Sequence, residues 1–201
     1  MRILLMLAFA FASHAAMAET TLIDPNTASE SELAAAVGDE MVAELIMDGR
    51  PYLNAADLDV ILERMLDDDQ RQEIYAGMFR QINLNTASEA EIMLIPGMSK
   101  RMAHEFEEYR PYRDMAQFRR EIGKYVDADE VARLEQYVFI PLNLNTASEE
   151  DIMKIPGMSM RMAHEFEEYR PYKDMAQFRR EIGKYVDEDE VARLESYVTL
   201  D

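Results

Sequence analysis

The side chains able to ligate a metal or move a proton form two small sets. His104 and His164 each stand four residues before a glutamate, Glu108 and Glu168, a spacing that puts imidazole and carboxylate on one helix face. Two ligands fall short of a zinc centre, so an ion pair is the expected use. Met158, Met160, Met162 and His164 alternate along the chain, and thioethers suit Cu(I). On a helix, however, alternate positions point apart, and Lys100 replaces Met160 in an otherwise matching set, so these methionines read as adaptable core filler. The chain has no cysteine, only two histidines beyond residue 18, no nucleophile elbow and no P-loop. The arrangements needed for nucleophilic or phosphoryl chemistry are missing, and neither an enzyme nor a cofactor is expected.

The elements that carry these residues recur because the chain repeats. Residues 85–140 return at 145–200 almost unchanged, so Asn85-Thr-Ala-Ser and Ile95-Pro-Gly-Met-Ser99 become Asn145-Thr-Ala-Ser and Ile155-Pro-Gly-Met-Ser159. At a spacing of 59 or 60 residues an eroded first copy opens at Asn26-Thr-Ala-Ser and carries Arg50-Pro-Tyr52 where the others have Arg110-Pro-Tyr112 and Arg170-Pro-Tyr172. Three repeats of about 60 residues are expected, at 19–82, 83–142 and 143–201, the first degenerate.

Within the second copy, Ser88 and Glu91 form a capping-box pattern for a short helix that Pro96-Gly97 must end. A second helix is expected over 99–109, with Met102, Ala103, Phe106 and Tyr109 inward and Glu105, Glu107 and Glu108 toward water. Asp114 with Gln117, and Asp127 with Glu130, open two further helices by the same capping pattern. No alternating run is long enough for a strand, so the class is all-α, four short helices per repeat, with residues 139–142 linking the second copy to the third.

Residues 1–18 are set apart from the fold. Arg2, an apolar run over residues 3–12 and Ala16-Met-Ala18 match a secretory signal with a small-residue cleavage site. The mature chain is expected to be soluble and periplasmic, with no membrane span, because the run is shorter than the roughly 20 apolar residues a bilayer needs and no second run follows. Without cysteine, each repeat must be held by packing alone. Past residue 18 the charge is uneven: 4 basic against 15 acidic residues in 19–82, 8 against 11 in 83–142, and 8 against 14 in 143–201. A chain this acidic repels nucleic acid and anionic lipid at long range and draws basic partners, so any phosphate must be bound locally.

The stretch Ile82-Asn-Leu-Asn-Thr-Ala-Ser-Glu89, followed by Ile95-Pro-Gly-Met-Ser99 and Arg101-Met-Ala103, resembles the tandem helix-hairpin-helix domain of ComEA, the competence DNA receptor. The resemblance covers all of the chain past the signal. It implies weak binding of double-stranded DNA without sequence preference, through backbone amides at the start of a hairpin's second helix and a following basic residue. Carried over position by position, it nominates Gly97, Met98, Ser99, Lys100 and Arg101, and Gly157, Met158, Ser159 and Arg161. The chain departs from the family in two places: Ser99 and Ser159 stand where it has a second glycine, and Met160 stands opposite Lys100. In the first copy Asp39 and Glu40 fall where phosphate should arrive and would repel it. The tips at 122–127 and 182–187 run into acidic residues and read as structural.

A different reading keeps the fold without the DNA: an adaptor that docks a basic protein partner through the acidic first repeat. Tyr109, Tyr112, Tyr125 and Tyr137, repeated at 169, 172, 185 and 197, are then either surface anchors or rings packed inward with wet hydroxyls.

Overall fold

The computed structural model describes residues 22–200; the expected export signal lies outside them. The described chain is all-α but for a few two-residue strands. Its helices come in three sets of four: α1 (Glu30–Val37), α2 (Glu40–Asp48), α3 (Ala55–Leu62) and α4 (Asp68–Tyr75); α5 (Glu89–Ile92), α6 (Lys100–Glu108), α7 (Met115–Ile122) and α8 (Ala128–Glu135); α9 (Glu149–Ile152), α10 (Met160–Glu168), α11 (Met175–Ile182) and α12 (Glu188–Glu195). Among the described residues no helix is long and apolar enough to cross a membrane.

In the second set the expected N-caps form, but only one of the three expected capping boxes is complete. Ser88 accepts from the Glu91 N–H while the Glu91 carboxylate takes the Ser88 N–H, a full capping box. Asp114 accepts from the Gln117 N–H at 2.6 Å, but the Gln117 side chain turns back to the Arg113 amide, so the expected reciprocal bond is not made. Asp127 likewise caps the Glu130 N–H, while the Glu130 carboxylate is taken by Arg133.

Residues 139–142, expected as a plain link, are partly strand. Ile82–Asn83 (β1) pairs in parallel with Val138–Phe139 (β2), and Leu142–Asn143 (β3) with Val198–Thr199 (β4). An isolated parallel bridge, Ile23 to Met78, sits at the matching place in the first set. Two residues are too few to show as alternation in sequence, yet each pairing joins the start of a set to its end.

Each set is locked across its middle by one arrangement. The Asn85 side-chain amide donates to Tyr112 O and its oxygen accepts from the Tyr112 N–H, at 2.9 and 2.7 Å. Beside it Arg110 donates from Nε to Leu84 O and from Nη2 to Ala87 O, both at 2.6 Å. Asn26 with Tyr52 and Arg50, and Asn145 with Tyr172 and Arg170, repeat these bonds. The shared Asn-Thr-Ala-Ser and Arg-Pro-Tyr motifs are therefore the two halves of a clamp. Buried carbonyls and amides find partners in it, which the interior requires.

Glu105, expected to face water, is buried, and one of its carboxylate oxygens has no partner. α6 lies under the loop that carries Tyr125, whose hydroxyl is 2.8 Å from that of Tyr109 and also faces Glu105. The Tyr109 hydroxyl first, then Glu105, raises the Tyr125 pKa above the usual phenol value. Tyr112 and Tyr137 are buried, and Tyr109 and Tyr125 half-buried, so the tyrosines pack inward and are not surface anchors.

The third set also meets the first. Arg80, fully buried, donates to Tyr197 Oη at 2.6 Å and Ser196 Oγ at 2.8 Å, and to Tyr52 O at 3.0 Å. Its guanidinium lies 4.3 Å from the Tyr197 ring centroid and 5.6 Å from that of Phe139. Carbonyls, hydroxyls and ring faces thus stand in for water around a buried cation.

Asn85→Ala removes both side-chain bonds to Tyr112 and leaves its backbone N–H and C=O without them. The expected cost is about 2–3 kcal/mol, read as a lowered midpoint in urea unfolding at unchanged slope. A loss below about 0.5 kcal/mol, the level of an ordinary surface change, would rule the clamp out as a main support.

Candidate nucleic-acid interface

The second set's first hairpin runs from α5 through Pro96 and Gly97 into α6. The Met98 N–H bonds to Ile95 O at 3.0 Å, and Gly97 sits at φ 74°, in the left-handed region where a Cβ would be strained. Ser99 is the N-cap, extended at φ −104°, ψ 153°, and its hydroxyl accepts from the Met102 N–H at 3.2 Å. Serine at this position is thus used as a helix cap. Among the described residues, the N–H groups of Gly97, Ser99, Lys100 and Arg101 have no acceptor within the protein. The helix dipole adds partial positive charge at the same end.

Lys100 and Arg101 are exposed and enter no ion pair within 4.0 Å among the described residues. Arg133, on α8, joins them: its Nη2 would lie 3.8 Å from a Cβ placed on Gly97. The Glu130 carboxylate holds that guanidinium with two bonds of 2.7 Å and offsets its charge. Arg133 was not singled out in the sequence. Its only signal, retention as Arg193 in the third copy, is shared with most of its neighbours.

The third set repeats the backbone but not the surroundings. Gly157 is at φ 74° and Ser159 caps the Met162 N–H at 3.2 Å. Met160 is 71% exposed where Lys100 stands in the second set. Thr27, from the first set's opening, presses on the tip, since a Cβ on Gly157 would meet Thr27 Cγ2 at 2.8 Å. Arg193 is buried there, donating to Pro156 O at 2.7 Å and paired with Glu190 at 2.6 Å. The Arg161 guanidinium lies 5.8 Å from the Tyr185 ring centroid. Among the described residues this tip has one basic side chain outside any ion pair, Arg161, where the second set's has two.

In the first set the site is filled from within. Only Asp39 follows Gly38 before α2 begins, whereas Met98 and Ser99 separate Gly97 from α6. The Asp39 carboxylate accepts from the Met41 and Val42 N–H groups at 2.8 and 3.1 Å. A side-chain anion occupies amides that a phosphate would need. In the later hairpins Lys124 and Lys184 pair with Glu121 and Glu181 and lie 4.8 Å over the Tyr109 and Tyr169 rings. His104 and His164 lie 3.7 and 3.8 Å from Glu108 and Glu168, as single exposed pairs.

Helical hairpins with a glycine tip and an amide-rich second-helix start define the class: an all-α protein built on stacked hairpins. More narrowly, residues 78–125, which contain the open hairpin, match the family described as the helix-hairpin-helix motif. One curated relative is Endonuclease/exonuclease/phosphatase family domain-containing protein 1 of Xenopus laevis. It is 28% identical over 121 residues, a match covering 45% of this chain and 21% of that protein. The chain thus spans about a fifth of that relative's length. No solved structure matches the chain.

Gly97→Ala is expected to cost about 1–2 kcal/mol, the price of left-handed backbone in an L-residue. Gly157→Ala should lose about 1 kcal/mol more, from overpacking against Thr27. Thr27→Ser, which removes Cγ2, should return that excess in the Gly157→Ala background and leave Gly97→Ala unchanged, as measured by urea unfolding. Equal losses at the two glycines, with no rescue, would contradict the contact between first and third sets.

Proposed function

We propose that the chain binds the phosphate backbone of double-stranded DNA, weakly and without sequence preference, and that it does so as an exported, periplasmic, ComEA-like protein serving DNA uptake. The observation that carries this is the group of N–H donors at Gly97, Ser99, Lys100 and Arg101 without an acceptor among the described residues, at the positive end of α6 beside two exposed basic side chains outside any ion pair. That is the chemistry of an anion site at a helix N-terminus. Gly97, Met98, Ser99, Lys100 and Arg101 form the main contact. Gly157, Met158, Ser159 and Arg161 form a lesser one, because Thr27 crowds the tip and Met160 carries no charge.

The net charge of −19 does not forbid such a contact, since charges more than about 8 Å away are largely screened at physiological salt. It does limit affinity. Contacts of this kind address backbone and not base edges, so no sequence is read. The Xenopus relative is named for an endonuclease/exonuclease/phosphatase family domain, but the activity proposed here is binding alone. The two histidines in the described residues lie on exposed helix faces, each beside one glutamate, and no cysteine is present.

Fluorescence anisotropy with a random-sequence duplex, across a salt titration, tests this. Saturable binding is expected, with a slope of log affinity against log salt of about −2 to −3 for two or three neutralised phosphates. Lys100→Ala with Arg101→Ala should abolish most of it, and Arg161→Ala alone should weaken it less than about threefold. Absence of binding at low salt, or full binding by the Lys100/Arg101/Arg161 triple alanine variant, would overturn the proposal.

A further inference from the structure

The first set keeps the left-handed glycine of the hairpin, shortens the turn by one residue and inverts its chemistry. Where α6 begins Lys100-Arg101, α2 begins Glu40-Met41. Positions 40, 41, 44, 47 and 48 follow the spacing of one helix face, while Val42, Ala43 and Ile46 are buried on the opposite one. The outward stripe is therefore Glu40, Met41, Glu44, Met47 and Asp48, and with Glu30 from α1 it lines one open hollow. Met41 is 64% and Met47 37% exposed. Glu30, Glu40, Glu44 and Asp48 meet no cation and accept no side-chain hydrogen bond among the described residues.

The contrast with the rest of the chain is sharp. In the second and third sets six acidic side chains on the later helices are matched locally, Glu121 by Arg120 and Lys124, Glu130 by Arg133, Glu135 by Arg119, and their copies likewise, while others such as Glu89 and Asp129 are not. Among the described residues the α2 face combines several uncompensated carboxylates with two solvent-exposed thioethers. Methionine fits irregular apolar partners because it is unbranched and polarizable. Surrounding carboxylates favour a cationic partner and disfavour nucleic acid.

We infer that the outward face of α2 is a docking surface for a basic amphipathic helix of another protein, its apolar side chains seated on Met41 and Met47 and its lysines or arginines over Glu40, Glu44 and Asp48. The partner helix would present its own apolar side chains at i, i+3, i+4 and i+7 to this face. The exposed carboxylates stay solvated, so they contribute orientation and rate more than affinity, and the interaction weakens with salt. This site is separate from the amides at Gly97 and does not depend on DNA binding.

The test uses the purified chain with a fluorescent Lys-Leu peptide that folds as an amphipathic helix, and a Lys-Gly peptide of equal charge as control. The Lys-Leu peptide should bind about tenfold or more tightly than the control, and Glu40→Gln with Glu44→Gln should weaken it about tenfold while leaving duplex binding unchanged. In methyl NMR, the Met41 and Met47 signals should move on titration and the Met98 signal should not. Equal binding of both peptides, binding undiminished in the double variant, or unmoved Met41 and Met47 signals would each overturn the inference. So would self-association of the chain that the double variant abolishes, since the face would then serve a second copy.

Discussion

The asparagine side chain that bonds both backbone groups of a tyrosine some 26 or 27 residues away, at 26 and 52, 85 and 112, and 145 and 172, is the interaction on which the rest of the molecule depends. Helices of four to nine residues are too short to persist alone, and nothing covalent holds them. The asparagine and its companion arginine bring the start of each set against its middle. That places the first hairpin over the second and lets Phe106 pack edge-on against Phe118 at 5.3 Å, and Phe166 against Phe178 at 5.2 Å. The hairpin tip, and with it the free amides, is held in place by this closure.

The clamp also determines where charge is free. Arg110 and Arg170 spend their donors on carbonyls. Arg119, Arg120, Lys124 and Arg133 face carboxylates. Among the basic residues of the second set, Lys100, Arg101 and Arg113 are left without an acidic partner, and two of these flank the amide cluster. A residue count describes an acidic repeat, whereas the pairing describes a small local excess of positive charge at one tip. Local excess is what matters once distant charges are screened.

Much of this was legible in sequence because it is local or repeated. The capping box at Ser88 and Glu91 spans three residues, and the recurrence of two motifs at one spacing pointed to a shared role for them. What was not legible depends on contacts between distant parts of the chain. Glu105 read as an outward carboxylate, but the loop bearing Tyr125 covers it. Arg133 and Arg193 are the same residue in the same local sequence, yet their side chains are 34% and 4% exposed. The difference comes from the first set lying on the third, which near-identity between the second and third copies conceals. Even the shortened first hairpin was present only as the shift in spacing from 59 to 60 residues; that it lets Asp39 fill the amide site needed coordinates.

Arg80 gives the array a property that a row of repeats lacks. In a linear stack each unit touches only its neighbours, and the outermost ones fray because one of their faces has no partner. Here the hydroxyls of Tyr197 and Ser196 receive a guanidinium from a residue more than a hundred positions earlier, so the first and third sets are neighbours too. Each set then has two others to lean on, and a local opening anywhere must break contacts on both sides. The molecule is held as a ring of mutual supports, in which loss of any one set is felt by both of the others.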